Sequence, residues 1–156
     1  MTRTATLINP GMPKDYPDHH DAELLLRLYD LRRESSLREA RTTMVTQFLP
    51  KSYEELKTIA TSTAHPQNQA FRQASTYWEM VYGMAKHGVI HADFLMESAG
   101  EGLIIYAKAL PWLKQLREET GRPFLANAEW VVANSEHAKK TFARFAASVE
   151  KQRAAK

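Results

Sequence analysis

This chain of 156 residues predicts an all-α fold, an irregular bundle of five or six helices with a long first helix and a long last helix. Three observations carry that prediction. Apolar residues recur at three- and four-residue spacing, the period of one helical face. Pro50, Pro66, Gly88, Gly121 and Pro123 fall between those runs, where turns belong. The one segment with strand character, Leu103-Ile104-Ile105-Tyr106, has no partner strand elsewhere, and Leu103, Ala107, Leu110, Leu113 and Leu116 carry the helical spacing through it.

Each element has its own signal. Pro10, Gly11, Pro13 and Pro17 make residues 1–17 an extended arm, because proline lacks the N–H and the freedom in φ that a regular helix needs. A helical domain follows over residues 18–150. No proline or glycine interrupts Asp18 to Leu49, and Asp21 reads as the N-cap of the long first helix. At 100° per residue its apolar face moves: Leu24, Leu28 and Leu31 share one side, while Leu37, Ala40, Met44 and Phe48 lie nearly opposite. The change falls across Arg32 to Ser36, so either the helix bends there or its halves pack against different things. Pro50 stops it. Ser52 with Glu55 is a capping-box pattern that starts a second helix running to about Ala60. Thr61 to His65 is a loop, and Pro66 suits the first turn of a third helix that ends at Gly88. A fourth helix starts at His91 to Asp93 and is weakened by Gly100 and Gly102. Pro111 either kinks it or begins a fifth segment ending at Gly121. Pro123 opens the last helix, which runs to about Lys151, and residues 151–156 form a basic tail.

Composition narrows the chemistry. A hydrophobic share of 44% with 25% charged residues is that of a globular protein. The chain has no cysteine, so disulfides, thiolate nucleophiles and cysteine-bound zinc are excluded. No run approaches the roughly 20 apolar residues that cross a bilayer. Met1 to Thr6 are polar and Leu7-Ile8 is too short for a secretory core, so no transmembrane segment and a cytoplasmic location are expected. The net charge of +3 is uneven: the segment from Lys139 carries +5 through Lys139, Lys140, Arg144, Lys151, Arg153 and Lys156 against Glu150, leaving −2 for the rest. Cations suit a helix C-terminus. The functional alternative is weak binding of an anionic surface or nucleic acid, with no specific nucleic acid expected.

Established reaction motifs are missing. No glutamate has a histidine three residues later, as a di-iron bundle requires, and there is no H-E-x-x-H helix. Gly100-Glu101-Gly102 is a fragment of a glycine-rich phosphate loop without its third glycine or its strand. His87 and His91, followed by Asp93 and Glu97, come nearest to a metal group, but Gly88 ends a helix between the two histidines. His19-His20 sits at the arm. No metal or cofactor is expected.

Trp78, Tyr82, Tyr106 and Trp112, with Trp130, read either as core or as the lining of a ligand pocket, and aromatics at helical spacing favour core. Glu79 and Arg117 each lie in a predicted helix among apolar neighbours. A buried carboxylate without a partner is costly, so Glu79 and Arg117 are expected to be buried and bonded to each other or to one shared partner, and the pair could also bind an anion or carry a proton.

Those residues carry a resemblance. Tyr77-Trp78-Glu79, Gly83, His87-Gly88-Val89-Ile90, Phe94-Leu95, Tyr106, Pro111-Trp112-Leu113, Arg117 and Glu129 are similar to the pattern of a bacterial family of all-helical proteins known as a domain of unknown function. The similarity spans roughly Leu24 to Phe145. It implies a helical fold and an architectural ion network that includes Glu79, Arg117 and Glu129, and supplies no activity. Members of that family commonly place a membrane helix ahead of the domain, where this chain has a proline-rich arm.

The expected function is a non-enzymatic scaffold or interaction module that self-associates. Leu24, Leu25, Leu28 and Leu31 form a stripe that one straight helix cannot turn toward the same core as Met44 and Phe48, and a second copy of that helix is the expected cover, giving a two-fold homodimer. The partner beyond a second copy is unknown. The alternative is a small-molecule or anion-binding protein using Glu79, Arg117 and the aromatics around them.

Overall fold

A computed structural model describes residues 13–155 of the chain, and among them are eight helices and no strand. They are α1 (His19–Leu31), α2 (Ser35–Thr46), α3 (Tyr53–Thr61), α4 (Asn68–Lys86), α5 (Ala92–Met96), α6 (Gly102–Thr120), α7 (Ala126–Asn134) and α8 (Glu136–Ala154). The all-α expectation holds; the count of five or six does not.

The long first helix is two helices. Asp18, not Asp21, is the N-cap of α1: its carboxylate accepts from His20 and Asp21 N–H, and Asp21 closes the capping box from the third helical position. The helix stops at Leu31, and Glu34 begins α2 by accepting the N–H groups of Ser36 and Leu37, each at 3.0 Å. Arg32 to Ser36, where the apolar face rotates, is thus a capped break. Ser135 divides the last expected helix in two. It ends α7 and caps α8, its hydroxyl accepting the Ala138 N–H at 3.1 Å. The fourth expected helix also divides, into α5 and α6, with Glu97 to Glu101 between them. Pro111, in contrast, lies inside a continuous α6.

Other stops fall as expected. Gly88 and Gly121 adopt φ of 71° and 66°, left-handed values that suit glycine, directly after α4 and α6. The Ser52 hydroxyl caps α3 by accepting the Glu55 N–H. Pro13 to Asp18 are not helical, and most of the expected arm, residues 1–12, lies outside the described residues, as does Lys156. Lys14 of the arm reaches the fully buried Asp21 at 2.7 Å, anchoring its entry into α1.

Helix α4 is the axis of the bundle and packs against α2, α3, α5, α6 and α7. Phe71, Ala74, Tyr77, Trp78, Val81, Tyr82 and Ala85 are all buried, so most of its circumference is core. Gln69, Arg72, Thr76 and Met80, spaced three and four apart, are its wet strip. Phe48 from the end of α2, Leu56 and Ile59 of α3, Leu103 of α6 and Val131 of α7 complete the centre. Helix α8 lies on α6 and α7, with Ala138 and Val149 buried and the Phe142 ring 5.3 Å from that of Tyr106.

The leucine stripe of α1 is not left over, because the break at Arg32 to Glu34 frees α1 to turn its own face inward. Leu28 is buried, Leu24 and Leu25 pack partly buried against the core, and the Tyr77 hydroxyl donates to the Leu28 carbonyl. Of the four, Leu31 alone is exposed, at 55%. The large apolar residues that α1 does leave in water are Leu26, Tyr29 and Leu31.

Candidate functional site

Successive residues of α4 reach different parts of the fold. Trp78 stacks on Tyr82 with ring centroids 5.8 Å apart, and the start of α6 lies against both at Gly102. The Tyr82 hydroxyl donates to the Ala99 carbonyl at 2.7 Å. Glu79 turns the other way, to the N-terminus of α7, where its two oxygens accept the N–H groups of Asn127 at 2.9 Å and Ala128 at 2.8 Å. No side chain of the adjoining segment caps that helix. Glu79 does so from 48 residues away, and the first-turn N–H groups with their positive dipole end are matched by a carboxylate. Asn127 returns the contact by donating its side-chain amide to the Glu79 carbonyl, and Gly83, one turn further on, makes room: a Cβ there would stand 2.9 Å from Asn127 Nδ2.

Arg117 holds the same turn from α6. Its Nε donates to the Phe124 carbonyl at 2.8 Å and its Nη1 meets Glu129 at 3.0 Å. Glu79 and Arg117 therefore form no direct ion pair. Each grips one side of the 124–129 segment, and the guanidinium acts on Glu79 across space, helping the two N–H groups to oppose a burial that pushes the Glu79 carboxyl above its usual range. Between the two grips lies Leu125, with φ of 56°, a left-handed conformation that costs a side-chain-bearing residue about 1–2 kcal/mol. Such strain persists where surrounding contacts over-determine it, and here Glu79, Arg117 and the burial of the Leu125 side chain do so.

A cleft of about 250 Å³ opens beside this turn. Phe71, Arg72, Ser75, Thr76 and Glu79 of α4 form one wall, and Arg122 to Leu125 form the other. Of the residues singled out from sequence, Glu79 lines it. Trp78 and Tyr82 are buried in the core; Tyr106 is buried beneath Phe142, and Trp112 lies half-buried under the Arg153 guanidinium at 4.9 Å. The rest of the cleft was not anticipated. Its walls come from segments some fifty residues apart, and no local pattern announces the left-handed Leu125 that shapes it.

The metal-like group is dispersed. His87 is the C-cap of α4, and His91 caps α5 through Nδ1, which accepts the Phe94 N–H at 3.0 Å. Asp93 accepts from the Ser135 hydroxyl and the His137 N–H, and the Ser135 bond foremost draws its carboxyl below the usual range. No group of three or more potential metal-binding side chains occurs among the described residues.

The sequence model of a domain of unknown function (DUF4760) matches residues 17–135. The chain belongs to the DUF4760 family. No curated protein and no solved structure matches it. The DUF4760 match starts one residue before the N-cap of α1 and stops at the Ser135 cap, so α8 lies beyond it. Within it fall Glu79, Gly83, Arg117, Asn127 and Glu129, the residues that tie α4, α6 and α7 around the strained turn. No helix among the described residues is long and apolar enough to cross a membrane.

Proposed function

We propose that this DUF4760 chain is a non-enzymatic helical interaction module that pairs with a second copy through the apolar side chains that α1 leaves exposed. The observation that carries the reading is the concentration of exposed apolar surface on that one helix: Leu26 is 71% exposed, Leu31 55% and Tyr29 49%. Scattered apolar residues are ordinary on a protein surface, whereas Leu26 and Tyr29 stand side by side on α1 and Leu31 is exposed at its end, a concentration on one short helix of the kind that marks an interface. The charged residues of the family pattern support it indirectly, since Glu79, Arg117 and Glu129 are engaged in holding the α6–α7 turn. Burying a leucine is worth roughly 1.5–3 kcal/mol, and three large side chains from each copy reach the range of about 4–15 kcal/mol that association costs. A dimer of modest affinity follows.

Sedimentation of the full chain over a wide concentration range tests this. The expected result is a monomer–dimer equilibrium, abolished by Leu26→Glu with Leu31→Glu while the melting temperature is kept, because both side chains are exposed. A parent that stays monomeric at the highest concentration overturns the reading.

A further inference from the structure

The cleft beside Glu79 contains polar groups that the fold itself does not use. Ser75 lines the cleft, and its hydroxyl has no hydrogen-bond partner among the described residues. Arg72 stands on the α4 wall and Arg122 on the turn, and neither has an ion-pair partner among the described residues; Arg122 rests over the Phe124 ring at 4.5 Å. Glu79 is the acid of the lining, and both its oxygens are already occupied by N–H groups of α7. The Thr76 hydroxyl is likewise engaged, with the Arg72 carbonyl. Arg72, Arg122 and Ser75 thus line a space shared with Phe71, Phe124 and Leu125.

We propose that this cleft binds a small carboxylate with an apolar body, a short fatty acid or an aryl acid of about the size of benzoate. The carboxylate is met by Arg72 and Arg122 with Ser75 donating, and the hydrocarbon lies on the two phenylalanines and Leu125. Charge and shape select this class together. A neutral ligand would leave both arginines without a counter-charge, and arginine forks match carboxylates well. A compact inorganic anion would leave the aromatic floor uncovered. The volume of about 250 Å³ falls below the roughly 300–1,000 Å³ of sites for drug-sized ligands, which suits a molecule of few atoms.

The test is titration of the isotope-labelled full chain with benzoate and hexanoate, alongside inorganic phosphate and benzyl alcohol, followed by nuclear magnetic resonance. Saturable shifts centred on Ser75, Phe124 and Leu125 are expected with at least one carboxylate, and much weaker shifts with phosphate and benzyl alcohol. Arg72→Gln with Arg122→Gln should weaken binding about tenfold to a hundredfold, as loss of charge-assisted bonds does, without lowering the melting temperature of the free protein. Ser75→Ala should weaken it several-fold. The proposal is overturned if neither carboxylate gives saturable shifts there, if phosphate or benzyl alcohol binds as tightly, or if the double arginine variant binds as the parent does.

Discussion

Gly102 lies so close to the indole of Trp78 that a Cβ in place of its hydrogen would come within 2.5 Å of Trp78 Cγ and, equally, of the Tyr82 hydroxyl. The glycine looks like a weak point of α6, since alanine is favoured over glycine in a helix by about 1 kcal/mol. Here contact outweighs propensity. Both neighbours are buried, and the Tyr82 hydroxyl is tied to Ala99, so neither can move aside cheaply.

Gly102→Ala is therefore expected to destabilise the fold by about 1–3 kcal/mol in denaturant unfolding, the usual cost of overpacking a core. Gly83→Ala, whose Cβ would meet a side-chain amide rather than rings, should cost less. Equal effects at the two sites would show that the α4–α6 contact is looser than described.

Removing the distant cap should unsettle α7. Glu79→Ala leaves the N–H groups of Asn127 and Ala128 without their acceptor and removes one hold on Leu125, with an expected loss of about 2–3 kcal/mol. Glu79→Gln keeps one acceptor oxygen and should lose less. Glu129→Ala, whose side chain is half in water, should stay within about 1 kcal/mol. Hydrogen exchange at Asn127 and Ala128 would read the same ranking locally.

Two carboxylates should respond to pH with opposite signs. Burial raises the Glu79 carboxyl, so its contribution is fully present below the unfolded value and is lost as pH rises through the raised folded one. Asp93 is lowered, chiefly by the Ser135 hydroxyl, so its contribution is present above the unfolded value and is lost as pH falls through the folded one. On acidification across the carboxylate range, the stability of the parent relative to Glu79→Gln should rise, and that relative to Asp93→Asn should fall. Parallel trends in the two comparisons would contradict the assigned directions.

Arg153 closes the far end of the bundle. It donates to the Lys108 carbonyl at 2.6 Å and the Pro50 carbonyl at 3.2 Å, and lies over Trp112. Pro111 deprives the Ala107 carbonyl next door of its usual helical donor, so the guanidinium fastens α6 beside its weakest backbone link. Arg153→Met, which keeps the stem but not the donors, should cost about 1–3 kcal/mol and shift tryptophan emission toward that of a wetter indole. An unchanged spectrum and melting temperature would remove Arg153 from the fold's supports.

Much of this architecture was legible because its punctuation is local. Gly88, Gly121 and Ser52 act within a few residues of where they stand, and the rotation of the apolar face marked the break between α1 and α2, though not its form. The Glu34 and Ser135 caps were missed because an acid or serine inside a helical pattern looks the same whether it caps or lies on the surface until the backbone turns. Glu79 and Arg117 were recognisable as charges needing partners. Their partners were not, since backbone groups of residues 124 to 128 leave no trace in side-chain spacing. The cleft was invisible for the same reason: it exists only once Leu125 has turned left-handed between two distant grips.

The family pattern ends at Ser135, but the core does not. Phe142 on Tyr106, the buried Val149 and Arg153 over Trp112 all come from α8. Order of synthesis then matters. During translation α1 to α7 are complete before α8 emerges, and for that interval the flank of α6 with Tyr106 and Trp112 lacks the cover that α8 gives it. The nascent core must wait for α8, with an aromatic flank that chaperones or a neighbouring chain can reach first.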